Sequence, residues 1–161
     1  MSSLGIISDT HNNVSRLIEA LSVFADYGVS RVIHCGDITT PETVRYFAQI
    51  PTSFVFGNND FHKLALSEET AQIGAESFDT DGVVQWQGRH VYFTHGDRIS
   101  LLRTNLDSGN WDVVCSGHTH CFSVSYVGAT LALNPGAATL GSFCILQEDL
   151  SVLHFVDGRL A

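Results

Sequence analysis

Seven side chains could together hold metal ions: Asp9 and His11, Asp37, Asn58, His95, and the pair His118 and His120. Carboxylate, carboxamide and imidazole suit Mn²⁺, Fe, Ni²⁺, Co²⁺ or Zn²⁺, whereas a Mg²⁺-only site rarely uses so many imidazoles. No thiolate belongs to the set, which argues against a structural zinc. Two ions ~3.5–4 Å apart can hold a bridging hydroxide and polarise phosphoryl oxygens. Such ions lower a water pKa from ~15.7 toward ~7, supplying a nucleophile without a basic side chain. Singly, Asp9, Asp37 and Asn58 read as helix caps or turn formers, and each histidine as a buried hydrogen-bonded one. Only the set points to a metal centre.

Each candidate follows an apolar run of β type. Leu4 to Ile7 reads as a first buried strand ending at Ser8-Asp9, and Val32 to His34 as a second running into Cys35-Gly36-Asp37. Ser53 to Phe56 is a third, leading to Gly57-Asn58-Asn59-Asp60. Asn12 or Asn13 caps a helix between the first two, with Val14, Leu17, Ile18, Leu21, Val23 and Phe24 at helical spacing and Gly28 as its stop. Pro41 starts a short helix reaching about Ala48. Three such units imply a parallel sheet with right-handed crossovers. Ligands in open α/β sheets bind at the carboxyl ends of strands, where all seven groups fall. The i, i+2 pairs would reach one cavity if the backbone there is extended. Gly36, Gly57, Gly96 and Gly117 neighbour the candidates and would allow close backbone approach.

The second half changes character. Residues 83–87 and 90–94 read as a hairpin feeding His95-Gly96-Asp97. A helix of about nine residues from Ser100 precedes a strand at Val113 to Cys115, and further hairpins turn at Val127-Gly128 and near Gln147 to Asp149. This order fits a pair of mixed sheets with helices outside. Residues 61–81 read as a weakly helical, acidic surface excursion.

At 161 residues, 44% of them hydrophobic, the chain is expected to form one domain spanning 1–161 with a sizeable core. A net charge of −9 without a basic stripe speaks against long nucleic acid and anionic membranes as partners. Phosphate would have to be attracted by bound divalent metal instead. No signal peptide or ~20-residue apolar span is visible. Cys35, Cys115, Cys121 and Cys144 form no C-x-x-C pair, so free thiols in a reducing, cytoplasmic compartment are expected. A homo-oligomer is left open.

Asp9-Thr10-His11, Gly36-Asp37, Gly57-Asn58-Asn59-Asp60, His95-Gly96-Asp97 and Gly117-His118-Thr119-His120, in this order, resemble the calcineurin-like metallophosphoesterase superfamily. The compact length is similar to its small bacterial and archaeal phosphodiesterase branch. The resemblance implies a four-layer α/β/β/α sandwich and two adjacent divalent ions, with Mn²⁺ leading. It implies that Asp9, His11 and His120 hold one ion, Asn58, His95 and His118 the other, and that Asp37 bridges them. The implied activity is hydrolysis of a small phosphate ester, with a lean toward phosphodiesters.

Asn59 is a departure, since many relatives place a histidine there as general acid. Its carboxamide can donate a hydrogen bond to phosphate but cannot deliver a proton, so activated aryl esters should turn over best. For Arg98 a surface salt bridge is the expected fate, and for Cys121 packing. Asp60 either caps the following segment or orients a ligand. Asn134-Pro135-Gly136 reads as a turn that could also wall the site. His34, His62, His90 and His154 lack metal context. A non-catalytic scaffold with the same fold is the alternative, disfavoured because all seven positions carry competent groups.

Overall fold

The computed structural model describes residues 2–161. In chain order, β1 (Ser3–Ile7), α1 (Val14–Asp26), β2 (Val29–His34), α2 (Pro41–Val44), β3 (Thr52–Phe54), α3 (Lys63–Gln72) and β4 (Glu76–Ser77) form the first half. The second half comprises β5 (Asp81–Trp86), β6 (Arg89–Thr94), α4 (Ile99–Asp107), β7 (Val113–Cys115), β8 (Phe122–Val127), β9 (Thr130–Pro135), β10 (Ser142–Leu146), β11 (Val152–Val156) and β12 (Arg159–Leu160). A seven-stranded sheet has the order β12-β11-β10-β1-β2-β3-β4, and a five-stranded sheet the order β5-β6-β7-β9-β8. Strands β1 to β4 run parallel, while β10 joins β1 antiparallel. The expected pair of mixed sheets flanked by helices is thus the observed architecture.

Period-two alternation decides which layer each side chain enters. From β1, Leu4 and Ile6, with Ile33 of the neighbouring β2, face the second sheet and share a core cluster with its Val91, Phe93, Val113, Leu131 and Leu133. Ile7 faces the opposite way, toward Leu17, Ala20 and Phe24 of α1. The Asn13 side chain accepts from the Arg16 N–H and starts that helix. A Cβ on Gly5 would lie 2.9 Å from the Phe24 ring, so the glycine in mid-strand is the space that Phe24 fills.

The β5–β6 hairpin turns through Gln87 and Gly88, both at positive φ, as a two-residue turn matched to strand twist requires. The excursion expected over 61–81 is more ordered than its composition suggested. Helix α3 buries Leu66 and Thr70, and β4 pairs with β3 to close the edge of the larger sheet. Two strand residues and a helix with little amphipathic contrast leave no periodic signal, so only pairing reveals them. Helix α4 buries no residue fully. It is held by polar bonds, from Asn105 Nδ2 to the Tyr92 hydroxyl and from Trp111 Nε1 to Asn105 Oδ1. All four cysteines are free, and burial among apolar side chains pushes the Cys115 thiol up to about 12. Among the described residues, no helix is long and apolar enough to cross a membrane.

Candidate metal centre

The loops after β1, β2, β3, β6 and β7 meet at one end of the two sheets. There the ligand atoms of Asp9, His11 and His120 lie within 4.8 Å of one another, and so do those of Asp9, Asp37 and His95. Asp37 Oδ2 stands 3.4 Å from His11 Nε2 and 3.3 Å from His95 Nε2, facing both clusters. Asp9 Oδ1 is 3.2 Å from His120 Nε2, 3.6 Å from His11 Nε2 and 3.9 Å from His95 Nε2. Asn58 Oδ1 lies 3.1 Å from His95 Nε2. The His118 ring packs edge-on against His95 at 5.1 Å, while its backbone N–H donates to Asp9 Oδ2.

The extended backbone expected for the i, i+2 pairs is not what aims them. Asp9, His11, His118 and His120 all sit at positive φ, as do Asn12, Asp37 and Thr39. Seven of the ten non-glycine residues with positive φ among the described residues therefore belong to these loops. Left-handed backbone costs of order 1–3 kcal/mol at such residues and persists only where the surroundings hold it. The holding bonds are visible. The Asp9 N–H donates to the Gly36 carbonyl and the His11 N–H to the Asp37 carbonyl. Close approach does the rest: a Cβ on Gly57 would overlap Asp37 Oδ1, and one on Gly117 would overlap Ser8 Oγ.

Asp60 does not cap the helix that follows, whose N-cap is His62 without a side-chain bond. The Asp60 Oδ2 accepts from the N–H groups of Asp37 and Gly57, and its Oδ1 from the Thr39 N–H. It therefore clamps the loop of Asp37 to the loop of Asn58. Burial pushes the Asp60 carboxyl up despite these three bonds. Asn59 turns inward, donating from its backbone N–H to Asp37 Oδ1 and from Nδ2 to Asp37 Oδ2. Burial pushes the Asp37 carboxyl up, but bonds from His95 and Asn59 outweigh it and hold the group well below the usual carboxylate range. Burial alone would push His95 down, yet Asp37 and Asp9 outweigh it, and its imidazole is pushed up to about 9.

His34 sits beneath these loops. Its Nδ1 accepts from the Gly36 N–H at 3.1 Å, so in the neutral ring Nε2 carries the proton, donated to Thr10 Oγ1 at 2.8 Å. Burial and the neighbouring His95 push its pKa down to about 3. Asn134 holds the other side: its Nδ2 donates to the Gly117 carbonyl and Thr119 Oγ1, its Oδ1 accepts from the Gly136 N–H. The expected turn is not there: Asn134 and Pro135 end β9, paired with Ser123 and Phe122, and the Asn134 side chain steadies the site loop from the end of that strand. Nothing local in the sequence separates these supporting groups from ordinary turn formers. Arg98 departs from expectation. Among the described residues it makes no ion pair, and it lines a cleft beside Asn58.

A buried imidazole nitrogen tests whether the donor set fits a metal. His11 Nε2 is buried without a hydrogen-bond partner while facing oxygens of Asp9 and Asp37. A cation among these atoms would satisfy all three. At His95, Nδ1 lies 2.7 Å from the Cys35 carbonyl, to which it donates, leaving Nε2 directed at three oxygens. A metal taking the place of the Nε2 proton would find the ring already held through its other nitrogen, as a nitrogen ligand needs.

The model of the calcineurin-like phosphoesterase superfamily domain matches residues 2–151. The chain is 34% identical over 136 residues to a phosphodiesterase of Methanocaldococcus jannaschii, covering 83% of this chain and 82% of that protein. Among solved structures, an archaeal phosphodiesterase superposes with a TM-score of 0.90 at 29% identity, covering 96% of this chain and 99% of the other. Vacuolar protein sorting 29 of Cryptosporidium parvum shares the fold alone, with a TM-score of 0.70 at 19% identity over 99% and 94% of the two chains. With its candidate ligand groups gathered at one end of its two sheets, this chain belongs to the calcineurin-like phosphoesterase superfamily.

Proposed function

We propose that the chain is a metal-dependent hydrolase of phosphate esters, acting preferentially on small phosphodiesters. In this reading Asp9, His11 and His120 hold one divalent ion, and Asn58, His95 and His118 a second, with Asp37 shared between them. Mn²⁺ leads among the candidate metals, followed by Fe, Ni²⁺, Co²⁺ and Zn²⁺. The reading takes the chain as a single domain working in the cytoplasm, without long nucleic acid as substrate.

The observation that carries it is His11 Nε2, a buried nitrogen without a partner set 3.6 Å and 3.4 Å from two buried carboxylates. The identity to a protein named a phosphodiesterase supports the diester preference. Two such ions, when bound, supply Lewis acidity and lower the pKa of water.

The protein's own groups prepare the site. Asp9 and Asp37 are the buried negative charges that favour cations there. Ser8 Oγ and the His118 N–H fix the Asp9 carboxylate, and Asn59 fixes that of Asp37. The Cys35 carbonyl holds the His95 ring. With its amide spent on Asp37, Asn59 acts as a positioning residue, leaving the leaving group without a proton donor at that position. Turnover should therefore fall steeply as the leaving-group pKa rises.

The test is elemental analysis of the purified protein together with matched mono- and diesters under added Mn²⁺ and under chelator. Two equivalents of metal and chelator-sensitive turnover, faster on diesters, are expected. Turnover that survives complete removal of metal would overturn the reading.

A further inference from the structure

We propose that the cleft beside Asn58 binds one arm of the diester and selects an aromatic arm, a nucleoside or aryl group, through Phe61 and Arg98. This rests on the phosphodiesterase reading above and names the substrate class. The cleft, of about 330 Å³, is lined by Asn58, Phe61, Lys63, Thr80, Asp97 and Arg98 among others. Its size falls at the small end of small-molecule sites. Asn58 belongs to both cleft and candidate centre, so an ester arm leaving the centre on that side enters the cleft.

Phe61 is 78% exposed, and Leu64, three residues on in the first turn of α3, is 75% exposed. Apolar surface of this kind beside a polar site marks binding better than folding. Phe61 is not on a loose loop, because it follows Asp60, whose carboxylate holds three backbone N–H groups of the centre. Every base presents a π face, so a ring in this position stacks on a nucleobase or an aryl group alike.

Arg98 supplies the polar half. Arg16, Arg31, Arg45 and Lys63 have carboxylate partners and Arg89 lies over Trp86; among the described residues Arg98, like Arg103 and Arg159, has no ion pair, but of these three Arg98 is the one that lines the cleft. It precedes α4 and is anchored there by the Leu102 N–H donating to its carbonyl. Its guanidinium offers donors to the oxygens of a sugar or base. A second phosphate is poorly matched, since Lys63 is tied to Asp79 and Asp97 adds a negative charge to the lining. In monoester hydrolysis the single arm is itself the leaving group, so no second arm remains to be held in the cleft during turnover.

Two diesters with one leaving group test this: thymidine 5′-(p-nitrophenyl phosphate) and methyl p-nitrophenyl phosphate. In each, water oxygen bonds to phosphorus, the bond from phosphorus to the aryl oxygen breaks, p-nitrophenolate leaves and a proton passes to solvent. Metal loading and leaving group cancel in the ratio of kcat/KM, which should favour the thymidyl ester by roughly tenfold or more. Phe61→Ala and Arg98→Gln should each bring the ratio down severalfold, whereas Arg159→Gln, on β12 at the far edge of the larger sheet, should leave it alone. In the zinc-loaded protein, NMR signals of Phe61 and Arg98 should shift with thymidine 5′-phosphate and not with methyl phosphate. A ratio near one, or one insensitive to both variants, overturns the cleft assignment and leaves the hydrolase reading standing. Absence of turnover of either diester overturns both.

Discussion

Asp37→Asn keeps the shape of the side chain and removes its charge, and the surroundings make that change severe. In the wild type, Oδ1 accepts from the Asn59 N–H at 3.0 Å and Oδ2 from Asn59 Nδ2 at 2.9 Å. Either orientation of the new amide sets its NH₂ group against one of these donors. A buried donor left without an acceptor costs about 1–3 kcal/mol. The lost charge also removes the main attraction holding a positive group between His11 and His95, each within 3.5 Å of Oδ2. Losing a ligand shared by two ions is worth at least about 4 kcal/mol of transition-state stabilisation, or roughly a thousandfold in rate. Diester turnover under saturating Mn²⁺ should fall by that factor, and elemental analysis should show fewer than two metals per chain. Asn59→Ala is the graded comparison, leaving the carboxylate in place and removing one supporting bond, for a loss of roughly 10–100-fold. Full turnover with two bound metals in Asp37→Asn would refute the shared-ligand assignment.

Gly57→Ala is expected to damage the centre by space alone, because the new methyl would overlap Asp37 Oδ1 and lie 2.7 Å from His95 Cδ2. Overpacking of about 1–3 kcal/mol should appear as a lower Tm together with reduced metal content. Gly28→Ala, strained at φ +65° with no neighbour within 4 Å, should lower Tm and leave metal content intact; equal metal loss in both would remove the steric argument. His34 is pushed down to about 3 in the fold, against about 6.5 when unfolded, so between these values the unfolded chain binds the extra proton. Its contribution to stability is complete above pH 6.5 and declines as pH falls toward 3, by up to about 1.4 kcal/mol per unit. In metal-free protein, urea unfolding from pH 7 to 4.5 should show a shallower decline for His34→Gln, and parallel curves would exclude His34 as the cause. Asn59→His should flatten the dependence of rate on leaving-group pKa, measured over a series of aryl diesters. An unchanged slope would mean that a proton donor at this position does not limit the reaction.

The ligand inventory and its order were legible from residue types, because metal chemistry needs imidazole and carboxylate wherever the chain places them. Apolar runs also placed β1, β2, β6 and β7, since strands buried on both faces read as continuous hydrophobic stretches. The short β4 escaped that reading, and α3 was legible only as a weakly helical stretch, as two paired residues and a weakly amphipathic helix carry little period of their own. So did the insertion of β10 between β1 and β11, a pairing across more than a hundred residues. The site itself is a tertiary product. Positive φ at Asp9, His11, Asp37, His118 and His120 opposes their intrinsic preference, and the opposing bonds come from remote segments. The His118 N–H reaches Asp9 from 109 residues away, and Asp60 ties down Asp37 from 23. Residue identity can state which groups are available to a metal. Only packing, through bonds that no local stretch contains, can bend the backbone against its preference and turn those groups toward one another.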